Sequence, residues 1–262
     1  MMNYFQKTFR PSVVNGDVSG VIQANATDLP FSVGDVLFDW TAVDVPLGTN
    51  AIVDGLIHVY GEDGGVTPNA DIVLLIATDN DGAAPTSLGT VNVAPNGCYE
   101  LPDILTGSMK FEGTGNLAGR INIGNSGAVF MYNYAAAGGQ NGHVVIQPNN
   151  NGLSGNATTN RIYIAGIAGG ALDFSTGVLK NAAETSNTEV SLTTKTVDPR
   201  KAFRVGDTVY IHDVDTAIGT IASMTATNIT LNAAIAGGTD IADEDEFIND
   251  KPLTITLGFK GK

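Results

Sequence analysis

Three histidines and a single cysteine are the first residues of this chain whose types could do chemistry. His58, His143 and His212 stand far apart, and each lies beside an apolar residue in a strand-like run. No H-x-x-x-H or C-x-x-C spacing accompanies them, and a zinc site is typically built on such spacing. The lone cysteine, Cys98, has no second cysteine with which to form a disulfide. We therefore predict that the protein has no metal ion, no cofactor and no internal cross-link.

Acidic and glycine-rich runs are the next candidates for a ligand site. Runs 79–82 (DNDG) and 240–246 (DIADEDE) carry carboxylates that could bind Ca²⁺. Neither run has the EF-hand spacing with a bidentate Glu at the twelfth position, so we interpret both as soluble loop tips. Segment 113–119 (GTGNLAG) has one residue more than G-x-G-x-x-G, and no βαβ pattern surrounds it. The sequence predicts no nucleotide site there.

Catalytic patterns are equally weak. Runs 124–127 (GNSG) and 152–155 (GLSG) only approximate G-x-S-x-G, and no helix pattern follows either one. Two carboxylates for glycoside hydrolysis need only meet in space, so the sequence leaves that chemistry open. The single tryptophan, Trp40, lies in the apolar run VLFDW, which favours a core role over a sugar platform. We expect that the protein is not an enzyme.

Short alternating runs, separated by turn residues, are the elements that must position all these side chains. Gly (32) and Pro (10) together make up about 16% of 262 residues, against roughly 12% in average proteins. Segment 203–231 contains three runs in which apolar residues recur at every second position, the period of a half-buried strand. Its opening, FRVGDTVYI, resembles FSVGDVLF at 31–38. The same local structure is therefore expected at both places.

These patterns predict an all-β fold of two modules. Residues 18–183 are expected to form a jelly-roll-like β-sandwich, and residues 188–262 a small SH3-like β-barrel that ends in 252–259 (PLTITLGF). The polar run 181–187 (NAAETSN) is the predicted linker between them. The strands expected in the sandwich are 18–22, 36–40, 52–60, 71–77, 117–123, 128–134, 143–147 and 161–167.

Residues 1–17 show no clear period and are predicted to form an extended N-terminal arm that binds a partner. Aromatic residues often dominate interface energetics, so Tyr4, Phe5 and Phe9 are the expected anchors. Lys7 and Arg10 are expected to pair with acidic groups on the partner. The alternative is that the aromatic side chains pack on their own domain.

The charge of the chain excludes several partners. It has 27 acidic and 13 basic residues and a net charge of −14, so its surface repels phosphate, and we expect no binding to nucleic acid or to a membrane. Arg200, Lys201 and Arg204 are the densest basic group and are interpreted as charges that discourage edge pairing. The N-terminal residues show no Sec signal, so we expect synthesis in a cytoplasm without classical secretion.

Segment 87–92 (SLGTVN) follows the apolar run 72–77 (IVLLIA) and precedes 117–127 (LAGRINIGNSG). Together with segment 203–231, these runs resemble virion structural proteins of tailed phages, especially those of marine and cyanobacterial hosts. The resemblance implies a capsid decoration or cement protein that is located in the virion and bound to the major capsid protein. By analogy it also implies a homo-oligomer, with a trimer preferred. The alternative is a receptor-binding or adhesin module of a phage tail or fibre.

Overall fold

Strands and turns make up nearly all of the structure, a computed structural model that describes residues 3–13, 31–60, 70–113, 120–122, 128–132, 143–148, 159–172, 174, 176–183, 190–211, 216–235 and 241–261. The predicted all-β fold is confirmed. The only helices in these ranges are one α-helical turn, α1 (Leu101–Ile104), and a 3₁₀ turn at Pro199–Lys201. The strands are β1 (Asn3–Phe9), β2 (Val36–Pro46), β3 (Thr49–Val59), β4 (Ile72–Ala77), β5 (Leu105–Phe111), β6 (Arg120–Asn122), β7 (Ala128–Met131), β8 (Val144–Val145), β9 (Thr159–Ala168), β10 (Val178–Lys180), β11 (Ser191–Thr196), β12 (Thr208–Ile211), β13 (Thr216–Thr225), β14 (Asn228–Leu231), β15 (Phe247–Asn249) and β16 (Leu253–Gly261).

Two antiparallel sheets form a sandwich. The first has the order β1-β16-β3-β7-β6, with β8 also paired with β3, and the second has the order β2-β9-β4-β5. Their buried side chains share one hydrophobic core, to which β3 and β16 contribute from the first sheet and β4 and β9 from the second. The rings of Phe111 in β5 and Tyr132 after β7 meet across this core, with centroids 5.8 Å apart.

The remaining strands form a small, nearly closed barrel. Their order is β10-β11-β14-β13-β12-β15, and an antiparallel bridge between Leu179 and Glu246 brings the two ends of this sheet together. The barrel encloses a separate core in which Phe203, Ile221 and Phe247 are fully buried. Each module therefore has its own apolar interior.

The repeated F-x-V-G-D motif forms the same turn in both modules. In the sandwich, the Asp35 carboxylate accepts a hydrogen bond from the Ser32 N–H at 2.7 Å, and Gly34 has a φ of +93°. In the barrel, the Asp207 carboxylate accepts from the Arg204 N–H, also at 2.7 Å, and Gly206 has a φ of +91°. A positive φ at this third turn position strongly favours glycine, which explains why the motif contains it. Each turn leads into a strand, as the sequence predicted.

Two predicted module boundaries need correction. Strand β16, assigned from its sequence to the barrel, pairs instead with β1 and β3 in the sandwich. The barrel already begins at β10, before the predicted linker 181–187, and the Asn181 N–H donates to the Thr193 carbonyl within the barrel. The barrel strands thus run from β10 to β15, between sandwich strands β9 and β16. Local alternation identifies a strand but not the sheet that receives it.

The predicted sandwich strands overlap observed ones, apart from 18–22, which lies outside the described residues. Strands β1 and β5 were not predicted from the sequence. Segment 105–111 (LTGSMKF) alternates imperfectly, yet Met109 and Phe111 are fully buried in the core. This segment forms a strand because it pairs with the strongly apolar β4, although its own sequence pattern does not indicate a strand.

Candidate functional site

The residues predicted as a partner-binding arm lie on the edge strand of the first sheet, because β1 pairs along its whole length with β16. Phe5 stacks on Phe259, with ring centroids 5.3 Å apart and ring planes 9° from parallel. Phe9 packs against the sandwich core. Tyr4 stays 55% exposed, and its hydroxyl donates to an Asp54 carboxylate oxygen at 2.8 Å. The alternative interpretation, in which the aromatic residues pack on their own domain, therefore describes Phe5 and Phe9.

The guanidinium of Arg10 is also engaged within the chain. Its Nη1 and Nη2 both donate to the Asp207 carboxylate, the latter at 3.0 Å, and Nη2 donates to the Lys251 carbonyl at 2.6 Å. Arg10 thus joins the end of β1 to the barrel. Lys7 is half-buried, and its charge contributes, after the larger effect of Arg161, to lowering the pKa of Asp44. Neither basic residue forms part of an extended arm.

A buried polar network surrounds Asp207 where the two modules meet. Besides the Arg10 and Arg204 hydrogen bonds, this carboxylate accepts one from the Asn249 amide at 2.8 Å. The neighbouring Asp250 accepts from the Thr208 N–H at 2.8 Å, and burial raises the pKa of the Asp250 carboxyl. Arg10 follows sandwich strand β1 and Asp207 precedes barrel strand β12, so we assign the network to holding the barrel against the sandwich.

A second feature has the geometry of a binding site: residues 84–100, here called the 84–100 loop, which contain no helix or strand. Long irregular loops held on a rigid sheet often carry function. Side chains of strand β2 hold this loop by hydrogen bonds. The Trp40 indole N–H donates to the Thr86 carbonyl at 3.0 Å, and the Leu88 N–H donates to an Asp39 carboxylate oxygen at 3.0 Å. Val36 exchanges backbone hydrogen bonds with the following turn of the loop.

The C-terminal end of the loop folds back on its beginning. The Glu100 carboxylate accepts a hydrogen bond from the Thr86 N–H at 2.6 Å, and hydrogen bonds from Thr86 lower the pKa of this carboxyl. The N–H of Gly97 donates to the Leu88 carbonyl at 3.2 Å. A Cβ at position 97 would lie 2.4 Å from the Ser87 carbonyl oxygen, so only glycine permits this close approach. These contacts close the loop on itself.

This closed loop forms a surface pocket of about 300 Å³, here called the Tyr99 pocket. The Tyr99 side chain is 88% exposed, although most aromatic side chains of this size lie at least partly buried. Burial, together with the nearby Glu100 charge, raises the pKa of the Cys98 thiol, which is therefore protonated and a weak nucleophile. The pocket can bind an apolar group but has no activated reacting atom. Its lining residues are Leu88, Pro95, Asn96, Gly97, Cys98, Tyr99 and Leu101.

The sequence segment that contains this pocket carries charges of one sign. Between Arg10 and Lys110 the sequence contains no Lys or Arg, whereas it contains 13 Asp and Glu residues. The basic residues on the described part of the pocket's sheet are already paired: Lys110 contacts Asp71 at 2.8 Å, and Arg161 contacts Asp44 at 2.7 Å. This long segment without Lys or Arg is a signal in the sequence for the site, and the prediction of strands did not take it into account.

The other chemistry-bearing residues do not converge. The His58 ring lies 3.8 Å from that of Tyr60, His143 is exposed, and His212 lies outside the described residues. Within the described ranges, no group of three or more His, Cys, Asp or Glu side chains is arranged to hold a metal ion. In the run 240–246, Asp243 binds Lys195 at 2.9 Å within the barrel. Trp40 contributes to the support of the 84–100 loop and is only partly buried.

Comparison with protein-family models and with curated proteins finds no match to this chain. In the part of the chain that the structure describes, no helix is long and apolar enough to cross a bilayer. The site must therefore be interpreted from its own geometry.

Proposed function

We propose that this protein is a decoration or cement protein that binds the major capsid protein on the outside of a phage shell. The single observation that carries the proposal is the 84–100 loop, which a rigid sheet holds in one shape and which presents an exposed tyrosine beside an apolar pocket. A preformed site loses little conformational entropy when it binds. The resemblance of segments 72–77, 87–92, 117–127 and 203–231 to virion structural proteins supports the same role.

The proposed activity is mechanical and requires no turnover. A protein that binds the assembled, expanded shell but not free capsid subunits stabilises the shell by mass action. The acidic surface keeps free copies soluble and apart until a specific surface captures them. As a symmetric oligomer, with a trimer preferred, the protein would engage several capsomers at once and gain avidity.

A receptor-binding or adhesin module of a tail or fibre is the second candidate. The observation that favours it is the exposed Tyr99 ring beside the Asn96 amide in the same pocket, since an aromatic face with a nearby amide can also bind a sugar. The two roles differ in copy number: a decoration protein occupies hundreds of positions on a shell, whereas tail proteins are present in a few to dozens of copies.

Quantitative protein composition of purified virions, together with binding of the isolated protein to expanded shells that lack it, tests the proposal. We expect a copy number in the hundreds, saturable binding to expanded shells, and a higher temperature of shell disruption when the protein is bound. A low copy number with the protein found only on tails would replace this proposal with the adhesin role. Binding to unexpanded and expanded shells alike would contradict the stabilising mechanism.

A further inference from the structure

We propose that the Tyr99 pocket is the docking point for an extended segment of the shell protein that inserts one apolar side chain and carries Lys or Arg on either side of it. This inference rests on the proposed function and names the chemistry that the partner must supply. Three properties of the pocket carry it: its apolar lining, the hydrogen bonds that support it and the carboxylates beside it.

The lining defines the central group of the partner. Leu88, Pro95 and Leu101 supply apolar walls, and the exposed Tyr99 ring can cover an inserted side chain. A pocket of about 300 Å³ is at the small end of ligand sites and suits a side chain better than a large cofactor. Among the side chains of the seven lining residues, only the Asn96 amide and the Tyr99 hydroxyl are strongly polar, which favours an apolar group over a sugar with many hydroxyls.

The charge defines the residues that flank this group. Asp39 lies behind the loop, Glu100 closes it, and the exposed Asp103 follows in α1, two residues after the lining residue Leu101. The first basic residues before and after this part of the sequence are Arg10 and Lys110, and each forms an ion pair with an aspartate. Among the residues that the structure describes, no Lys or Arg lines the pocket, and a partner with Lys or Arg on both sides of its apolar residue complements the carboxylates beside it.

The support determines how such a segment binds. The loop is held by the Trp40 indole, by the Asp39 carboxylate and by Glu100. Since these hydrogen bonds exist before a partner arrives, the ordering cost falls mainly on the incoming segment. A single anchored side chain with flanking charges then gives a weak contact that many copies on a shell multiply.

Two-dimensional NMR of the ¹⁵N-labelled full chain tests the pocket directly with three blocked pentapeptides. The probe acetyl-Lys-Ser-Leu-Ser-Lys-amide should shift amide signals from the segment 88–101. The same peptide with Glu in place of Lys, and the same peptide with Ser in place of Leu, should each bind at least about tenfold more weakly. Equal shifts from all three peptides, shifts located elsewhere, or no shifts would overturn the inference, as would equivalent shifts from a neutral oligosaccharide.

Shell binding supplies the second measurement. Tyr99→Ala and Asp103→Lys should each lower the affinity for expanded shells by at least about tenfold. The matched control is Tyr4→Ala, which removes the other tyrosine more than half exposed in the described ranges, on the edge strand away from the pocket. Tyr4→Ala should bind as the unchanged protein does. Far-UV circular dichroism should be unaltered in all three variants, because each replaced side chain is exposed.

The two measurements separate the inference from the proposed function. If the unchanged protein binds shells while Tyr99→Ala binds equally well, the pocket inference is overturned and the decoration role stands. If the lysine peptide binds the pocket but the protein binds no shell, the decoration role fails and the chemistry of the pocket stands. A loss of shell binding in Tyr4→Ala alone would move the contact to the edge strand and overturn the inference.

Discussion

Replacing Arg10 with Ala should substantially lower the free energy of unfolding, because Arg10 connects the sandwich to the barrel. The substitution removes both hydrogen bonds to Asp207 and the one to the Lys251 carbonyl. The Asp207 side chain is 2% exposed, so its charge would remain almost fully buried without a cation in contact. The Tyr60 ring, which lies 5.7 Å from the Arg10 guanidinium, would lose one of its cationic neighbours.

The magnitude follows from what remains around Asp207. Removal of one partner from a buried ion pair costs about 3–5 kcal/mol. Here the Arg10 side chain is 22% exposed, and Asp207 keeps hydrogen bonds from the Arg204 N–H and the Asn249 amide. These two donors compensate part of the loss, so we expect a decrease of about 3 kcal/mol, at the lower end of that range.

Urea unfolding followed by Trp40 fluorescence and far-UV circular dichroism measures this change. The control is Arg200→Ala, which removes an ion pair between Arg200 and Asp198 at 2.6 Å. The Arg200 side chain is 55% exposed. A surface pair of this kind contributes about 0–1 kcal/mol. If Arg10→Ala costs no more than Arg200→Ala, burial does not strengthen the Arg10 pair, and its assigned role in joining the modules is wrong.

Three further predictions concern the core, the pH dependence and the N-terminal strand. Gly166→Ala should lower the free energy of unfolding by about 1–3 kcal/mol in the same urea assay, because the new Cβ would lie 2.2 Å from the fully buried Phe38 ring. An unchanged urea midpoint would show that the Phe38 ring can move aside. Burial raises the pKa of Asp250 in the folded chain, so the stability that its protonated carboxyl contributes is lost as the pH rises through the raised pKa. Asp250→Asn should therefore raise the melting temperature at pH 7 and leave it unchanged at pH 3. A higher melting temperature at pH 3 and no change at pH 7 would contradict this direction of the pKa shift. Deletion of residues 1–9 removes β1, keeps Arg10 and uncovers the edge of β16. The shortened chain should keep a β-type spectrum but scatter more light through aggregation, and equal scattering would argue against β1 as a protective edge.

The alternation of apolar and polar residues was sufficient to predict most strands. In β12 and β14, buried and half-buried residues alternate along the strand, as the sequence pattern indicates. The F-x-V-G-D motif likewise specified its own turn, because the Asp–backbone hydrogen bond and the glycine with positive φ lie within four residues. Such features could be predicted because every interaction that creates them is local.

The predicted arm was a different case. Residues 3–9 alternate weakly on their own, and their order comes from β16, nearly 250 residues further along the chain. The stacking of Phe5 on Phe259 and the Arg10–Asp207 pair both join residues that are distant in sequence. The aromatic and basic residues suggested an extended arm, whereas in the structure they lie on a strand paired within the same chain.

The Tyr99 pocket was also beyond sequence patterns, since the 84–100 loop has no period that would mark it as ordered. Its shape depends on Trp40 and Asp39, which lie on β2, more than 40 residues earlier. The sequence by itself determined the class of fold, the local turns and the absence of Lys and Arg from residue 11 to residue 109. Tertiary structure alone decided which strands pair, where the barrel begins and that a loop becomes a pocket, because each depends on contacts between residues that only folding brings together.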